Sequence, residues 1–211
     1  MTRIEEIASA IETGKLKTIS ELVQNAVSAG ESPMEILNIG MIRVMDRIGE
    51  RFSRGEAFVP EMLISARTMK KGVETLKPYL ANGEASVNGK VIIGTVSGDI
   101  HDIGKNLVAM MIESSGFEVI DLGIDVPAER FIQAIRENDD VRIVALSTLL
   151  TTTMPAMRGI LAELNQLANR ATFRVMIGGA PISEEFARQI GADGFAADAA
   201  SAAILAKAFV A

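Results

Sequence analysis

Hydrophobic residues follow two different patterns on either side of a short polar stretch, residues 82–89. Before it, apolar residues recur every three or four positions, which is the spacing of one face of an α-helix. Four such stretches occur, at residues 4–11, 16–27, 34–48 and 62–76. The connections between them are short, so we predict that residues 1–84 form an antiparallel four-helix bundle.

From Lys90 onward, short apolar runs alternate with stretches of helical spacing. The runs lie at residues 91–97, 117–122, 141–146, 173–177 and 194–197. This alternation predicts an α/β domain over residues 90–211, with a five-stranded parallel, doubly wound, Rossmann-like sheet. We expect the flavodoxin-type strand order 2-1-3-4-5. Residues 85–89 are small and polar, which is typical of a linker between the helical domain and this one.

The composition of the chain excludes several functions. The net charge of −6, without a cluster of Lys or Arg, argues against a nucleic-acid surface. No apolar run has membrane-spanning length and the polar start is unlike a signal peptide, so we expect a cytoplasmic protein without a membrane partner. There is no cysteine and only one histidine, His101, so the usual zinc sites are excluded. A metal at His101 would have to bring most of its ligands with it.

Three unusual loops are predicted at the carboxyl ends of strands one, three and four, where open α/β sheets bind ligands. The first, Asp99–Gly104, contains His101 between two aspartates; the second, Ser147–Thr153, has five hydroxyls in seven residues; the third begins with Gly178-Gly179. Each loop also has a purely structural explanation. His101 could simply be hydrogen-bonded to a nearby aspartate, the Ser and Thr residues could cap the next helix, and Gly178-Gly179 could form a tight turn. The residues alone leave both interpretations of His101 open.

The connection between the third and fourth helices is apolar where a polar turn is expected. Phe52 and Phe58 lie in this connection together with Val59. One interpretation is that the two phenylalanines plug the end of the bundle. The other is that they form an apolar surface for a ligand or partner.

A phosphate ligand is disfavoured by the first loop. A P-loop requires G-x-x-x-x-G-K-[ST], but Asp99 stands where the first glycine belongs and Asn106 replaces the final hydroxyl residue. The dinucleotide motif G-x-G-x-x-G is also absent. Two aspartates would, moreover, repel an anion.

The spacing Asp99-x-His101-x-x-Gly104, then Ser147-x-Leu149, then Gly178-Gly179, resembles the signature of cobalamin-binding domains of the methionine synthase type. The N-terminal half, with RFSRGEAFVPEMLISARTMK, resembles the helical cap that precedes this domain in methionine synthase. A similar cap occurs in the corrinoid proteins of methanol, methylamine and aryl methyl ether methyltransferase systems. The two likenesses span nearly the whole chain.

This resemblance implies a cofactor, cobalamin or a related corrinoid in its methylated form, and a role for each matched residue. His101 would be the lower axial ligand to cobalt, Asp99 would hold its other ring nitrogen, and Thr153 would be the next hydroxyl of that relay. The further implied cofactor contacts are Asp102 and Gly104 in the first loop, Ser147, Leu149 and Thr151 along the slot for the nucleotide tail, Gly178 and Gly179 where the tail passes, and Phe52 and Val59 over the methyl-bearing face. Val59 is smaller than the leucine of methionine synthase at this position.

The resemblance also implies a methyl carrier. A substrate-specific methyltransferase would load the methyl group onto Co(I), and a second methyltransferase would pass it from methyl-Co(III) to a thiol or folate. A reductive activase would be a further partner, and the carrier alone would turn over little. Two alternatives share the cobalamin domain: a subunit of an adenosylcobalamin mutase, which normally lacks the helical cap, and a cobalamin-sensing module, which needs an output domain.

Overall fold

The computed structural model of this protein describes residues 1–80 and 88–211, which form two compact units. The first unit contains the described residues up to Leu80 together with Glu113–Phe117. The second contains Asn88–Ile112 and Glu118–Ala211. The predicted domain boundary at residue 84 and residues 85–87 of the predicted linker lie outside the described residues.

The first unit is helical, as predicted. Its elements are α1 (Arg3–Glu12), α2 (Ile19–Ser28), α3 (Pro33–Glu35), a π-helical segment (Ile36–Ile42), α4 (Arg43–Ser53), α5 (Val59–Leu76) and a 3₁₀ turn (Lys77–Tyr79). Because α3, the π-helical segment and α4 follow one another without a break, they correspond to the third predicted helix. The four predicted helices are therefore confirmed.

The start of the second helix differs from the prediction. The apolar stripe suggested a start near Leu16, but α2 begins at Ile19 and Leu16 is partly exposed. Gly14 adopts a left-handed φ of 68° after α1, and the N–H of Lys15 donates to the carbonyl of Ala10. This turn ends the first helix and occupies the residues before α2.

The core of the first unit consists of aliphatic and methionine side chains from its helices. The largest fully buried side chains there are Ile7, Ile11, Ile19, Ile36, Leu37, Met41, Met45, Met62, Met69 and Leu76. These positions belong to the apolar stripes of the sequence. Methionine is unbranched and flexible, so it fills irregular gaps between crossing helices.

The connection between α4 and α5 does not bury its phenylalanines as a plug. Phe58 is 68% exposed, Phe52 is half-buried, and the small Ala57 is the buried residue of this turn. The N–H of Phe58 donates to the carboxylate of Glu61 at 2.8 Å, at the start of α5. The plug interpretation is therefore wrong for Phe58.

The second unit has the predicted parallel sheet. Its strands are β1 (Lys90–Thr95), β2 (Glu118–Asp121), β3 (Val141–Ser147), β4 (Arg174–Gly178) and β5 (Gly194–Ala196). They pair in the order β2-β1-β3-β4-β5, and every pair is parallel, which confirms the predicted order. The helices are α6 (Ile103–Glu113), α7 (Ala128–Glu137), α8 (Met154–Leu164), α9 (Glu184–Ile190) and α10 (Ala199–Val210).

The sheet is apolar because helices cover it, as expected for parallel strands. From Val91 to Val96 every residue of β1 and its extension is buried, and Phe131 of α7 is fully buried among the aliphatic side chains of the core. None of the helices in residues 1–80 and 88–211 combines the length and the apolar composition that crossing a bilayer requires.

The exposure of Phe58 predicts that its side chain contributes little to folding. Phe58→Ala should leave the free energy of unfolding within about 0.5 kcal/mol of the wild type, because surface truncations have small effects. Ile48→Ala in the buried face of neighbouring α4 should cost about 2–5 kcal/mol, through loss of burial and a cavity. Urea unfolding followed by circular dichroism measures both, and an equal loss in the two variants would contradict the prediction.

Candidate functional site

The three loops identified in the sequence leave neighbouring strands at the same level of the sheet. Thr95 at the end of β1 pairs with Ser147 of β3, which in turn pairs with Gly178 of β4. The N–H of Thr148 then donates to the carbonyl of Gly178 at 3.2 Å. The parallel register thus brings the three loops together at one edge, as predicted.

His101 and Asp99 form a close pair in the first loop. His101 Nδ1 lies 2.7 Å from Asp99 Oδ1, and the side chain of His101 is 47% exposed whereas that of Asp99 is fully buried. An ionised carboxylate only accepts hydrogen bonds, so a neutral His101 carries its proton on Nδ1. In the described parts of the chain, the other ring nitrogen, Nε2, has no hydrogen-bond partner, which leaves its lone pair available to a metal.

In the part of the chain that the structure describes, four donors surround the carboxylate of Asp99, two on each oxygen. Oδ1 accepts from the ring and the backbone N–H of His101, at 2.7 and 3.0 Å. Oδ2 accepts from the N–H of Leu149 at 2.6 Å and from the hydroxyl of Thr148 at 2.8 Å. Burial by itself raises the pKa of Asp99, but these hydrogen bonds outweigh it and hold the pKa well below its usual range. Asp99 is therefore a fixed negative charge behind the imidazole.

The hydroxyl that contacts Asp99 belongs to Thr148, a residue that the sequence analysis did not select. Thr153 is buried, and its Oγ1 lies 2.5 Å from that of Thr148 and 3.0 Å from the carbonyl oxygen of Leu150. Within the described residues no direct hydrogen bond joins Thr153 to Asp99. The run of five hydroxyls was the only signal in the sequence, and it does not tell which hydroxyl is buried beside the carboxylate.

Two further residues fix the backbone of the first loop, and neither was predicted. The buried hydroxyl of Thr95 donates to the carbonyl of His101 at 2.9 Å. The N–H of Asp125 donates to the carbonyl of Asp99 at 3.0 Å, and its carboxylate accepts from the N–H of Gly98 at 2.7 Å. Asp125 has a φ of 52°, which is uncommon for a residue other than glycine and therefore often accompanies a functional turn.

Gly178 and Gly179 are required by the packing of the second unit itself. A Cβ on Gly179, whose φ is 129°, would overlap the carbonyl oxygen of Thr148, and one on Gly178 would lie 2.9 Å from the carbonyl oxygen of Ala196. Only glycine allows the loops to approach this closely. The passage of a nucleotide tail beside these residues stays a prediction.

Gly104 has no comparable packing reason. It is exposed in the first turn of α6, its φ is outside the left-handed region, and no described heavy atom would lie within 4 Å of a Cβ there. Glycine is a weaker helix former than alanine, and the packing of the described residues gives no reason for it at this position. The neighbouring Asp102 is also exposed and accepts from the side chain of Asn106 at 3.1 Å.

Several large aliphatic side chains remain exposed at the same edge of the sheet. They are Ile100 and Ile103 in the first loop, Ile124 after β2, and Leu149 and Leu150 after β3. Ile100 and Ile103 are more than two-thirds exposed. Exposed apolar side chains next to a half-exposed imidazole fit a large, mostly apolar ligand.

The remaining predicted contacts lie in two places. Ser147 is half-buried at the end of β3, and Thr151 is exposed in the short turn before α8. Phe52 and Val59 lie in the first unit, where Phe52 is half-buried and Val59 is exposed. Their roles towards a cofactor stay predictions.

Sequence comparisons identify the family. Residues 89–205 match the family described as a B12 binding domain, and residues 3–77 match a second family with the same description. The dimethylamine corrinoid protein 1 of Methanosarcina acetivorans is 41% identical over 207 residues, which cover 97% of this chain and 95% of that protein.

Two solved structures resemble the whole chain. One is a novel cobalamin-binding protein from Desulfitobacterium hafniense DCB-2, with a TM-score of 0.80, 32% identity, and coverage of 99% of this chain and 98% of the other. The second is the methanol:cobalamin methyltransferase complex MtaBC from Methanosarcina barkeri, with a TM-score of 0.85 and 29% identity. That match covers 99% of this chain and 79% of the other. The fold and the loops are those of a B12-binding protein, and the chain belongs to the family of corrinoid proteins.

The residues at the sheet edge fit a corrinoid. Within residues 1–80 and 88–211 no group of three or more His, Cys, Asp or Glu could hold a metal ion. One imidazole alone is a weak site for a free ion, but it suffices as an axial ligand when a corrin supplies four nitrogens. The space at Gly104 and the exposed aliphatic side chains suit the carbon skeleton and methyl groups of such a macrocycle.

The lowered pKa of Asp99 makes its contribution to stability dependent on pH. Asp99→Asn should lower the free energy of unfolding at neutral pH by about 2 kcal/mol, the value of hydrogen bonds to a charged group. Because the pKa is lower in the folded protein, the wild-type advantage is complete above the unfolded pKa of about 4 and declines as pH falls below it.

Urea unfolding of both proteins between neutral and acidic pH measures this difference. Asp139→Asn, at an exposed aspartate on the same unit, provides the control and should show no such pH dependence. A difference between wild type and Asp99→Asn that grows on acidification would contradict the assignment of Asp99 as a buried anion.

Proposed function

We propose that this chain is a corrinoid methyl carrier in which Nε2 of His101 is the lower axial ligand of cobalt. The observation that carries the proposal is the pairing of His101 with Asp99. A half-exposed imidazole donates a hydrogen bond from its Nδ1–H to a buried carboxylate, and its Nε2 is without a partner in the described residues. The membership in the corrinoid family supports the same assignment.

The residues around His101 orient and tune it. When bound, the corrinoid supplies a cobalt that takes up and releases a methyl group. Asp99 fixes the ring and, as an anion, increases the electron donation of the imidazole towards a metal. Because Thr95 and Asp125 hold the loop in place, the imidazole is oriented before the cofactor arrives. Gly104, three residues after His101, leaves open space at its own position.

The other predicted contacts belong to this proposal as well. We propose Asp102, Ser147, Leu149 and Thr151 as further cofactor contacts, and Thr153 as part of the relay behind Asp99. The assignment of Phe52 and Val59 to the methyl-bearing face rests on the resemblance of their segment to a helical cap. A helical domain of residues 1–84, a linker of residues 85–89 and a cofactor domain of residues 90–211 remain our proposed division.

We infer that the partners are methyltransferases. A substrate-specific enzyme gives the methyl group to the carrier, and a second enzyme passes it to a thiol or folate, with a reductive activase as a further partner. The supports for the first enzyme are the similar chain in a methanol:cobalamin methyltransferase complex and the dimethylamine corrinoid relative. We expect the carrier and these enzymes to share the cytoplasm.

The direct test is the absorbance spectrum of the protein loaded anaerobically with methylcobalamin. The wild type should give the spectrum of an imidazole-coordinated corrinoid, and His101→Ala should give the form without a lower base, because no other imidazole exists in the chain. Gln189→Ala, an exposed residue of α9, provides the control and should match the wild type. Identical spectra for wild type and His101→Ala would contradict the assignment of His101.

Gly104 allows a test that separates cofactor binding from folding. Gly104→Ala should raise the free energy of unfolding of the cofactor-free protein by about 0.5–1 kcal/mol, since alanine is the better helix former. The same change should weaken corrinoid binding about tenfold or more, because the methyl group occupies space that the cofactor needs.

Gly159→Ala is a matched control for this prediction. Gly159 is also an exposed glycine within a helix, and a Cβ there would meet no described atom within 4 Å. The Gly159→Ala substitution should therefore stabilise the protein. It should leave the corrinoid affinity unchanged, which titration calorimetry measures. Equal corrinoid affinity in the two variants would show that Gly104 has no role in binding.

A further inference from the structure

We infer that Thr148 is a positioning residue for His101: its hydroxyl holds the carboxylate of Asp99 and connects it to Thr153. The role towards cobalt rests on the proposed function of His101. The hydrogen-bond chain itself is a property of the protein without its cofactor. The inference therefore adds a residue behind Asp99 that the family signature in the sequence did not indicate.

The direction of the hydrogen bonds follows from counting protons. Thr148 has a single hydroxyl proton, and Asp99 Oδ2, at 2.8 Å, only accepts. That proton is therefore donated to Asp99, so the short contact between the two threonine hydroxyls requires Thr153 as the donor. The chain runs from Thr153 to Thr148 to Asp99, and His101 donates to the opposite oxygen of the same carboxylate.

Thr148 has a larger role in this chain than Thr153. The proton of Thr153 has a second acceptor, the carbonyl of Leu150 at 3.0 Å, whereas the same carbonyl lies 3.5 Å from the hydroxyl of Thr148, at the limit of a hydrogen bond. Among the described residues, Thr148 is the only side-chain donor to Oδ2, where it complements the N–H of Leu149. Without it, one acceptor position of a fully buried anion is unsatisfied. The carboxylate would then shift towards its remaining donors and hold Nδ1 of His101 less firmly.

The backbone of the neighbouring strand fixes the position of Thr148. Its N–H donates to the carbonyl of Gly178, and its own carbonyl lies against the bare Cα of Gly179. Thr148 itself is 1% exposed, so water does not compete for its hydroxyl. Through Thr148 the third loop, which has no direct hydrogen bond to His101 or Asp99 within the described residues, contributes to the orientation of the imidazole.

The test begins with three variants of the second loop. Thr148→Val removes the hydroxyl and keeps the shape of the side chain, whereas Thr148→Ser keeps the hydroxyl. Thr152→Val removes an exposed hydroxyl of the same loop and is the matched control. If circular dichroism shows that Thr148→Val does not fold, Thr148→Ala, which also lacks the hydroxyl and has less bulk, takes its place.

The first readout needs no corrinoid. His101 is the only histidine, so nitrogen NMR of labelled protein reports its tautomer without overlap. At one fixed pH, the neutral imidazole of wild type, Thr148→Ser and Thr152→Val should carry its proton mainly on Nδ1. Thr148→Val should lower the ratio of the Nδ1–H to the Nε2–H tautomer roughly three- to tenfold, by loosening Asp99.

The second readout is the absorbance spectrum with bound methylcobalamin. Thr148→Val should lower the ratio of imidazole-coordinated to uncoordinated corrinoid by a similar factor, and Thr148→Ser should restore it. Thr153→Val should have the smaller effect on both ratios. The double variant Thr148→Val with Thr153→Val should give the same two ratios as Thr148→Val alone, because Thr153 acts through Thr148.

The outcomes separate this inference from the proposed function. If Thr148→Val leaves both ratios at the wild-type value, or if the effects of the two threonines simply add, the inference is wrong. If the tautomer ratio responds but no variant, including the wild type, coordinates corrinoid through His101, the hydrogen-bond chain is supported and the proposed function fails.

Discussion

The buried negative charge of Asp99 is the constraint on which the edge of the sheet depends. A carboxylate removed from water is costly unless donors satisfy both of its oxygens. Here the first loop supplies two donors and the second loop supplies the other two. The arrangement that satisfies the charge also places one imidazole, with Nδ1 engaged and Nε2 without a described partner, at the sheet edge. Orientation of the imidazole and stability of the fold therefore have the same physical origin.

The glycines of the site have two different physical explanations. Gly179 is where a side chain would collide with the carbonyl of Thr148, so it serves the close approach of two loops. Gly104 is in open space with an ordinary helical backbone, so the folded chain alone gives no reason for it. Both belong to one sequence signature, but packing requires only the first; for the second, the proposed cofactor site is our explanation.

Most of the architecture was predictable because it depends on local patterns. The switch from a spacing of three or four to buried apolar runs predicted four helices and then five parallel strands, and the strand order followed from the usual connectivity of such sheets. The turn between α4 and α5 was not predictable. Two phenylalanines in a short connection are compatible with burial or with exposure. The outcome depends on how the ends of α4 and α5 pack, and in the folded protein Ala57 is the buried side chain of this turn.

The sequence by itself determined the residue types of the site and their strands, since His101, Asp99 and the glycines follow apolar runs whose carboxyl ends must meet in a parallel sheet. Tertiary structure alone decided which hydroxyl contacts the buried charge. Thr148 and Thr153 have the same chemistry in one loop, and only the register between β3 and β4, together with the bare backbone of Gly179, places Thr148 against Asp99. A hydrogen bond requires its two atoms to lie within about 3 Å of each other. Which of two nearby threonines meets this requirement depends on the three-dimensional positions of the loops, and the sequence pattern does not contain that information.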